Sequence, residues 1–213
     1  MTAQIDTDAL TRWVLECARI IETHKEDLNE LDSASGDADH GSNLSRGFSA
    51  VAETIESPTS DSPSDLMKLV GTTLVSRVGG SSGALYGTFF LRMARAMGPA
   101  AVIGRRELGQ ALAAAGEGIV ERGKVERGDK TLYDALAPAI DAYHTGIKND
   151  LSAAEALESA ANAADTGRDA TARLAARKGR ASYLGDRTIG HIDAGSASMA
   201  LIINAASKTL GQS

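Results

Sequence analysis

Residues 7–28 read TDALTRWVLECARIIETHKEDL, and this stretch decides how the rest of the chain is interpreted. One face repeats every three or four residues, which is the period of an α-helix; its members are Leu10, Trp13, Val14, Cys17, Ile20, Ile21, His24 and Leu28. Asp6 or Thr7 stands where a helix N-cap is expected. The stretch therefore predicts a long amphipathic helix packed on a core.

The same period recurs in seven further stretches, separated by glycine, proline or polar turns. We expect helices at residues 44–55, 66–78 (capped by Ser64), 85–93, 108–119, from 129–131 to 140, 152–178 and 196–210, with a turn region at Pro58–Pro63. Aromatic residues make up only 4% of the chain, and alanine dominates its apolar residues, which favours close helix packing over a β-sandwich. The predicted fold is all-α: an eight-helix antiparallel bundle or barrel that forms a single domain over residues 1–213.

Charge and composition narrow the classes of function. The net charge of −6 argues against a nucleic-acid or anionic-membrane surface, although residues 173–180 form a local basic cluster. Cys17 is the only cysteine, which excludes an intrachain disulfide and a thiolate zinc cluster; its place on the helical face predicts a buried structural thiol. Neither a secretory signal nor a membrane-spanning run is apparent. We expect a soluble cytoplasmic protein.

The segment after the first helix reads LDSASGDADHGSN, residues 31–43, and carries Asp32, Asp37 and Asp39. Carboxylates this close repel one another unless a hard cation lies between them. Glycines permit the turns that bring them together, and a helix that begins near Ser42 directs free N–H groups to the same point. An EF-hand is excluded because its twelfth position, counted from Asp37, is Phe48. The pattern favours Mg²⁺ shared with phosphate, and a solvated turn is the alternative.

Four polar, glycine-rich connections follow the first, third, fifth and seventh predicted helices. In an antiparallel bundle with short connections, alternate connections lie at the same end. Residues 32–41, 79–83, 123–130 and 178–195 are therefore expected to converge there.

Each remaining motif has more than one interpretation. Gly79-Gly80-Ser81-Ser82-Gly83 is either a phosphate cradle or a flexible turn. Lys178 and Arg180 either offset charge on a transferring phosphoryl group or complement a helix C-terminus. The Asp193-Ala194-Gly195-Ser196 segment either contacts a nucleotide or caps the last helix. His40 either contacts phosphate or ribose, transfers a proton, or is a structural hydrogen-bond partner, and Asn43 is a ligand contact or a neighbour of the cap.

Four motifs in order resemble the L subunit family of dihydroxyacetone kinases: GDADHGSN at 36–43, GGSSGALYGT at 79–88, GDKT at 128–131 and GRASYLG at 179–185. The resemblance covers nearly the whole chain. It implies an eight-helix antiparallel barrel that binds ADP or ATP with two magnesium ions at one mouth. The function it implies is phosphoryl transfer to dihydroxyacetone.

The resemblance also assigns residues. It implies Asp32, Asp37 and Asp39 as magnesium ligands. The phosphates are bordered by His40, Gly41, Ser42, Asn43, Ser81 and Ser82. Gly123 and Leu132 lie near the base, and the pocket is completed by Arg180, Asp193, Ala194 and Gly195. Arg180 is the expected catalytic residue, as the cation that stabilises the transferring group. At Ala194 the family commonly has proline.

The implied partners are a separate K subunit that holds dihydroxyacetone, a phosphohistidine protein of the phosphotransferase system that recharges the nucleotide, and a transcription regulator. Three alternatives stay open. They are a kinase subunit for another short-chain ketose such as a tetrulose, a relative of fatty-acid kinase nucleotide-binding domains, and a nucleotide-responsive regulatory module. The absence of an additional acyl-kinase region disfavours the second.

Overall fold

A computed structural model describes residues 4–34, 36–55 and 62–211 of the chain. Its described residues form nine α-helices: α1 (Thr7–Thr23), α2 (Lys25–Ser33), α3 (His40–Ile55), α4 (Pro63–Arg77), α5 (Gly80–Met97), α6 (Arg105–Gly123), α7 (Leu132–Lys148), α8 (Ala153–Ala170) and α9 (Ala194–Leu210). Two short 3₁₀ segments, Thr171–Arg173 and Arg180–Thr188, lie between α8 and α9. The all-α prediction is confirmed.

The first predicted helix is divided at His24, which accounts for nine helices where eight were expected. The backbone of His24 leaves helical geometry, with φ −101° and ψ 17°. The hydrogen bonds continue across the break, because His24 N–H donates to Ile20 O at 3.0 Å and Leu28 N–H donates to His24 O at 2.9 Å. If α1 and α2 are counted as one bent helix, the described residues form the predicted number of eight helices.

Two helix ends differ from the sequence prediction. Ser62, rather than Ser64, caps α4 by accepting from Asp65 N–H at 3.2 Å, while Ser64 donates to Ala94 O at 2.9 Å. Residues 58–61 of the expected Pro58–Pro63 turn region lie outside the described residues. The seventh predicted helix ends at Ala170 instead of residue 178, because the chain beyond it turns to follow the rim of the site described below.

A two-residue antiparallel strand pair was not predicted. β1 (Ile5–Asp6) pairs with β2 (Val102–Ile103), and Ile5 lies opposite Ile103. Two residues are too few to show an alternating pattern. The pair joins the start of α1 to the connection between α5 and α6.

The helices pack closely around one hydrophobic cluster. Trp13 is fully buried, donates from Nε1 to Ile202 O at 3.0 Å and packs on Phe90 with a ring separation of 5.7 Å. A Cβ on Gly167 would lie 2.2 Å from Asp134 O, so α8 approaches the α7 backbone where no larger residue fits. Cys17 is buried, and burial raises the pKa of its thiol. Among the described residues, no helix has the length and hydropathy that crossing a membrane requires.

Candidate functional site

The four glycine-rich connections meet at one end of the helical barrel, as the helix count predicted. They line a cleft of about 560 Å³, to which they contribute Gly36, Gly79, Gly123 and Gly179 respectively. This cleft combines acidic and basic groups with apolar side chains. Its geometry is described from the carboxylates outward.

Asp32, Asp37 and Asp39 converge on one side of the cleft. Each offers a carboxylate oxygen, and the three oxygens lie within 4.8 Å of one another. Asp32 lies in the last turn of α2 and orients the loop by accepting from Asp39 N–H at 3.0 Å. Ala38 takes a left-handed backbone with φ 58°, and a Cβ on Gly36 would lie 2.1 Å from Asp32 Oδ1. The loop therefore fits a hard divalent cation such as Mg²⁺, which prefers carboxylate oxygens and keeps room for phosphate ligands.

Basic side chains enter from the opposite rim. Arg180 forms an ion pair with Asp37 through Nη1 and Oδ2. Lys178 Nζ lies 3.9 Å from Asp129 Oδ2, whose carboxylate is almost fully buried. The exposed guanidinium of Arg180 thus lies next to one of the three clustered carboxylates, where it can also contact an anion held there.

The N-terminus of α5 forms a third wall. Its N-cap is Gly79, which has no side chain to cap the first-turn N–H groups, and Gly80 has a left-handed φ of 64°. Ser81 and Ser82 occupy the first turn and line the cleft. Free amides at a helix N-terminus, next to two hydroxyls, form a site suited to phosphate.

His40 lies in a chain of polar side chains beneath this wall. Its Nε2 lies 2.8 Å from Ser198 Oγ, and its Nδ1 lies 3.3 Å from Ser82 Oγ. Tyr86 Oη lies 2.6 Å from the same Ser198 oxygen and donates to Gly195 O at 3.1 Å. Desolvation by burial lowers the pKa of His40, against the opposing effect of Asp32 and Asp39. The His40 ring therefore links α3, α5 and α9 through hydrogen bonds, and it also faces the cleft.

Gly41 and Ser42 lie behind the cleft wall. A Cβ on Gly41 would lie 2.0 Å from Lys25 O, so this residue allows α3 to cross α2 closely. Ser42 exchanges hydrogen bonds with Asn29: its N–H donates to Asn29 Oδ1 at 3.0 Å, and its Oγ accepts from Asn29 Nδ2 at 2.9 Å. Asn43 lines the cleft and accepts from Arg46. The structure therefore separates Gly41 and Ser42 from the other predicted phosphate neighbours.

The start of α9 closes the cleft. Asp193 caps this helix by accepting from Ser196 N–H at 2.6 Å, so the cap is present with alanine at position 194. Desolvation raises the pKa of Asp193 to about 7, although the Ser196 N–H opposes the shift. Ala194 and Gly195 also line the cleft. The larger aliphatic side chains of the cleft lie near Gly123 and are those of Leu85, Ile119, Val125 and Leu132. They suit the flat face of a nucleotide base.

Comparisons with known proteins identify the family of the chain. The family model described as the DAK2 domain matches residues 34–208, which is most of the chain. The chain belongs to the DAK2 domain family. It is 41% identical over 190 residues to the "PEP-dependent dihydroxyacetone kinase, ADP-binding subunit DhaL" of Escherichia coli (strain K12), covering 89% of this chain and 90% of the relative.

Two further matches extend this result. The corresponding PEP-dependent dihydroxyacetone kinase 1 subunit of Listeria innocua is 38% identical over 204 residues, covering 96% of this chain and 97% of the relative. The crystal structure of the dihydroxyacetone kinase from C. freundii in complex with AMP-PNP and Mg²⁺ has a TM-score of 0.70 and 23% sequence identity. The match covers 98% of this DAK2 chain but only 35% of the C. freundii chain. The latter match establishes the fold alone.

Sequence reasoning gave no role to Lys130 of this DAK2 domain, although it quoted the motif that contains it. It is almost fully buried in the GDKT motif, and four backbone carbonyls lie within hydrogen-bond distance of its ammonium group and share its three N–H donors. The distances from Nζ are 2.8 Å to Thr171 O, 3.1 Å to Leu174 O, 2.8 Å to Thr188 O and 2.5 Å to His191 O. Burial lowers the pKa of Lys130, and Asp193 opposes that shift. One side chain thus fastens the 171–191 segment to the connection before α7.

Tyr86 and Ser198 were also missed. Tyr86 lies on the apolar face of α5 and reads as an ordinary core residue. Ser198 is a small residue within α9. The two stretches that contain Lys130 and Tyr86 are recognised only by their resemblance to the family's motifs. No local sequence pattern identifies Ser198.

Proposed function

We propose that this chain is the ADP/ATP- and Mg²⁺-binding subunit of a dihydroxyacetone kinase. It would pass a phosphoryl group to dihydroxyacetone held on a separate K subunit. The observation that carries the proposal is the convergence of three carboxylate oxygens within 4.8 Å in a cleft that also holds Arg180 and the α5 N-terminus. A metal, a phosphate cradle and a cation that stabilises the transferring group are the parts that phosphoryl transfer uses.

The three carboxylates of Asp32, Asp37 and Asp39 would hold the metal. Bound Mg²⁺ would screen the charge of the phosphate oxygens and orient them. We propose two such ions. Asp32 also orients the loop that carries these carboxylates, because its own carboxylate accepts a hydrogen bond from the Asp39 backbone N–H.

The phosphates would lie between the carboxylates and α5. The first-turn amides of α5 and the hydroxyls of Ser81 and Ser82 would donate hydrogen bonds to their oxygens. Arg180 would stabilise the charge that spreads as the group transfers. In the transfer, the bond from the γ-phosphorus to its bridging oxygen breaks and a bond to a hydroxyl oxygen of dihydroxyacetone forms. The bridging oxygen keeps the electron pair and stays on ADP as a β-phosphate oxygen, and the proton of the attacking hydroxyl passes to water.

The partner assignment rests on the relatives. The E. coli and Listeria relatives are ADP-binding subunits of PEP-dependent enzymes, and they match this chain over 90% and 97% of their own length. We therefore propose that the ketose lies on a separate chain in the cytoplasm. A phosphohistidine protein would recharge ADP: its nitrogen–phosphorus bond breaks as a bond to a β-phosphate oxygen forms.

The nucleotide content of the desalted protein tests this proposal. We expect ADP in nearly stoichiometric amount when the denatured protein is resolved by anion-exchange chromatography, and we expect loss of that ADP after chelation of Mg²⁺. If the purified protein holds no nucleotide but binds added ATP, we would conclude that it exchanges its nucleotide, as an ATP-dependent kinase subunit does, and that no phosphoprotein recharges it. Protein that binds neither nucleotide would overturn the proposal.

A further inference from the structure

The four carbonyls around the Lys130 ammonium group come from two places in the chain. Two of them lie just before residues 175–187 and two lie just after, all 2.5–3.1 Å from Nζ: Thr171 O, Leu174 O, Thr188 O and His191 O. The ammonium group therefore joins the two ends of residues 175–187, which we call the clasped loop.

Backbone hydrogen bonds complete this closure. Gly190 N–H donates to Ala172 O at 2.7 Å, which pairs residues on either side of the clasped loop. Arg177 N–H donates to Asp129 O at 3.0 Å, and Asp129 precedes Lys130 in the GDKT motif. This motif thus holds the clasped loop at both ends and near its beginning.

Arg180 lies near the middle of the clasped loop and lines the cleft. Its guanidinium is mostly exposed and pairs with Asp37 on the opposite side. An exposed ion pair contributes little to holding a loop in place. The fastened ends of the clasped loop therefore determine where the guanidinium of Arg180 lies.

The residues proposed to hold the metal and the phosphates belong to other elements. Asp32 lies in α2, Asp37 and Asp39 lie between α2 and α3, and Ser81 and Ser82 lie in α5. Lys130 forms its hydrogen bonds with the segment between α8 and α9. If its ammonium group were removed, the loop closure would weaken and Arg180 would be displaced, while the carboxylates and the α5 N-terminus would keep their positions.

We propose that Lys130 is a positioning residue for phosphoryl transfer: it joins the ends of the clasped loop and so holds the Arg180 guanidinium beside the transferring group. This inference rests on the proposed function. It goes beyond a contribution of Lys130 to stability, because it couples this lysine to Arg180 and to the rate of transfer.

A double-mutant cycle tests the coupling. It compares the wild type, Lys130→Met, Arg180→Gln and the double variant, with Lys68→Met as the matched control at an exposed site in α4. Each chain is loaded with ATP and mixed with dihydroxyacetone and a saturating amount of the purified K subunit. The rate is expressed per bound nucleotide, so that unfolded chains do not count.

We expect Lys130→Met to lower this rate at least about tenfold, because a displacement of about 1 Å costs on the order of a hundredfold. In the Arg180→Gln background the same change should lower it by less than about twofold, since the group that Lys130 positions is already absent. Folded Lys130→Met should still retain Mg²⁺-dependent nucleotide, and Lys68→Met should match the wild type in rate and retention.

Chemical rescue of Lys130→Ala gives a second measurement, which also serves if Lys130→Met does not fold. Propylammonium supplies the part of the lysine side chain that the change removes, including its three N–H donors. It should raise the rate per bound nucleotide at least about fivefold, as a partial recovery of the expected loss. Tetramethylammonium carries the same charge without an N–H group and should have no effect.

Three results would overturn the inference. They are an unchanged rate in Lys130→Met, an equal loss of rate in the two backgrounds, and equal rescue by the two ammonium ions. Equal losses would mean that Lys130 acts independently of Arg180.

Failure of the proposed function is a separate result, in which the loaded wild type transfers nothing to dihydroxyacetone. The cycle is then measured without an acceptor, as the tightening of Mg²⁺–ADP binding by beryllium fluoride, which mimics the γ-phosphoryl group. Lys130→Met should reduce this tightening only when Arg180 is present. A reduction of the same size in the Arg180→Gln background, or none in either, would contradict the positioning role.

Discussion

Replacing Asp37 by alanine is expected to abolish retention of Mg²⁺-nucleotide. Asp37 supplies one of three carboxylate oxygens that lie within 4.8 Å of one another, and magnesium depends on few protein ligands. We expect nucleotide affinity to fall on the order of a hundredfold or more, since charge contacts to phosphate and metal groups have effects of this size. Nucleotide content after desalting and calorimetric titration with ADP and Mg²⁺ measure the effect.

Two controls isolate the metal role. Asp8→Ala removes an exposed carboxylate in the first turn of α1, remote from the cleft, and should leave nucleotide retention unchanged. Arg180→Gln removes the cation that pairs with Asp37. It should slow transfer and retain magnesium-dependent binding. If Asp37→Ala kept nucleotide at the wild-type level, the metal assignment would be wrong.

Replacing Lys130 by methionine is expected to destabilise the protein strongly. The change keeps an apolar stem but leaves four carbonyls without their donor: those of Thr171, Leu174, Thr188 and His191. Removing one partner from a buried charged cluster costs about 3–5 kcal/mol. We therefore expect the free energy of unfolding to fall by about 3 kcal/mol or more.

Denaturant unfolding followed by circular dichroism measures this loss. Lys68→Met is the matched control, because Lys68 is exposed in the middle of α4, and it should change stability by less than about 0.5 kcal/mol. Limited proteolysis should cut the 171–191 segment of Lys130→Met first, since its fastening is lost. Equal unfolding midpoints for the two variants would show that the carbonyl contacts contribute no net stability.

The helices of this chain could be predicted because their apolar period is strong and their ends carry glycine, proline or caps. Asp6 is the N-cap of α1. Thr131 is the N-cap of α7, and it is the last of the positions 129–131 at which this helix was expected to begin. The break at His24 could not be predicted, since the apolar face continues through it. The end of α8 was misplaced for a similar reason: alanine-rich sequence continues beyond Ala170, whereas the chain leaves the α-helix there and Thr171 O accepts from the distant Lys130.

The site was predictable where several residues of one chemistry lie close in sequence. Two such groups are the carboxylates within residues 32–39 and the glycine-serine run at 79–83. Counting the helices between them predicts that both lie at the same end of the bundle. Contacts between distant segments left no local signal. Ser198 meets His40 across 158 positions, and Ser42 is directed towards Asn29 by the crossing of α2 and α3. A sequence motif indicates which residues matter together but not which of them face the cleft.

A single-turnover transfer experiment tests the central claim most directly. The chain is loaded with ATP that carries a radiolabelled γ-phosphate, freed of unbound nucleotide and mixed with dihydroxyacetone and the purified K subunit. Labelled dihydroxyacetone phosphate should form only when both proteins are present, and ADP should stay with the chain. A nucleotide-loaded chain that gives no labelled product with the K subunit would contradict the account.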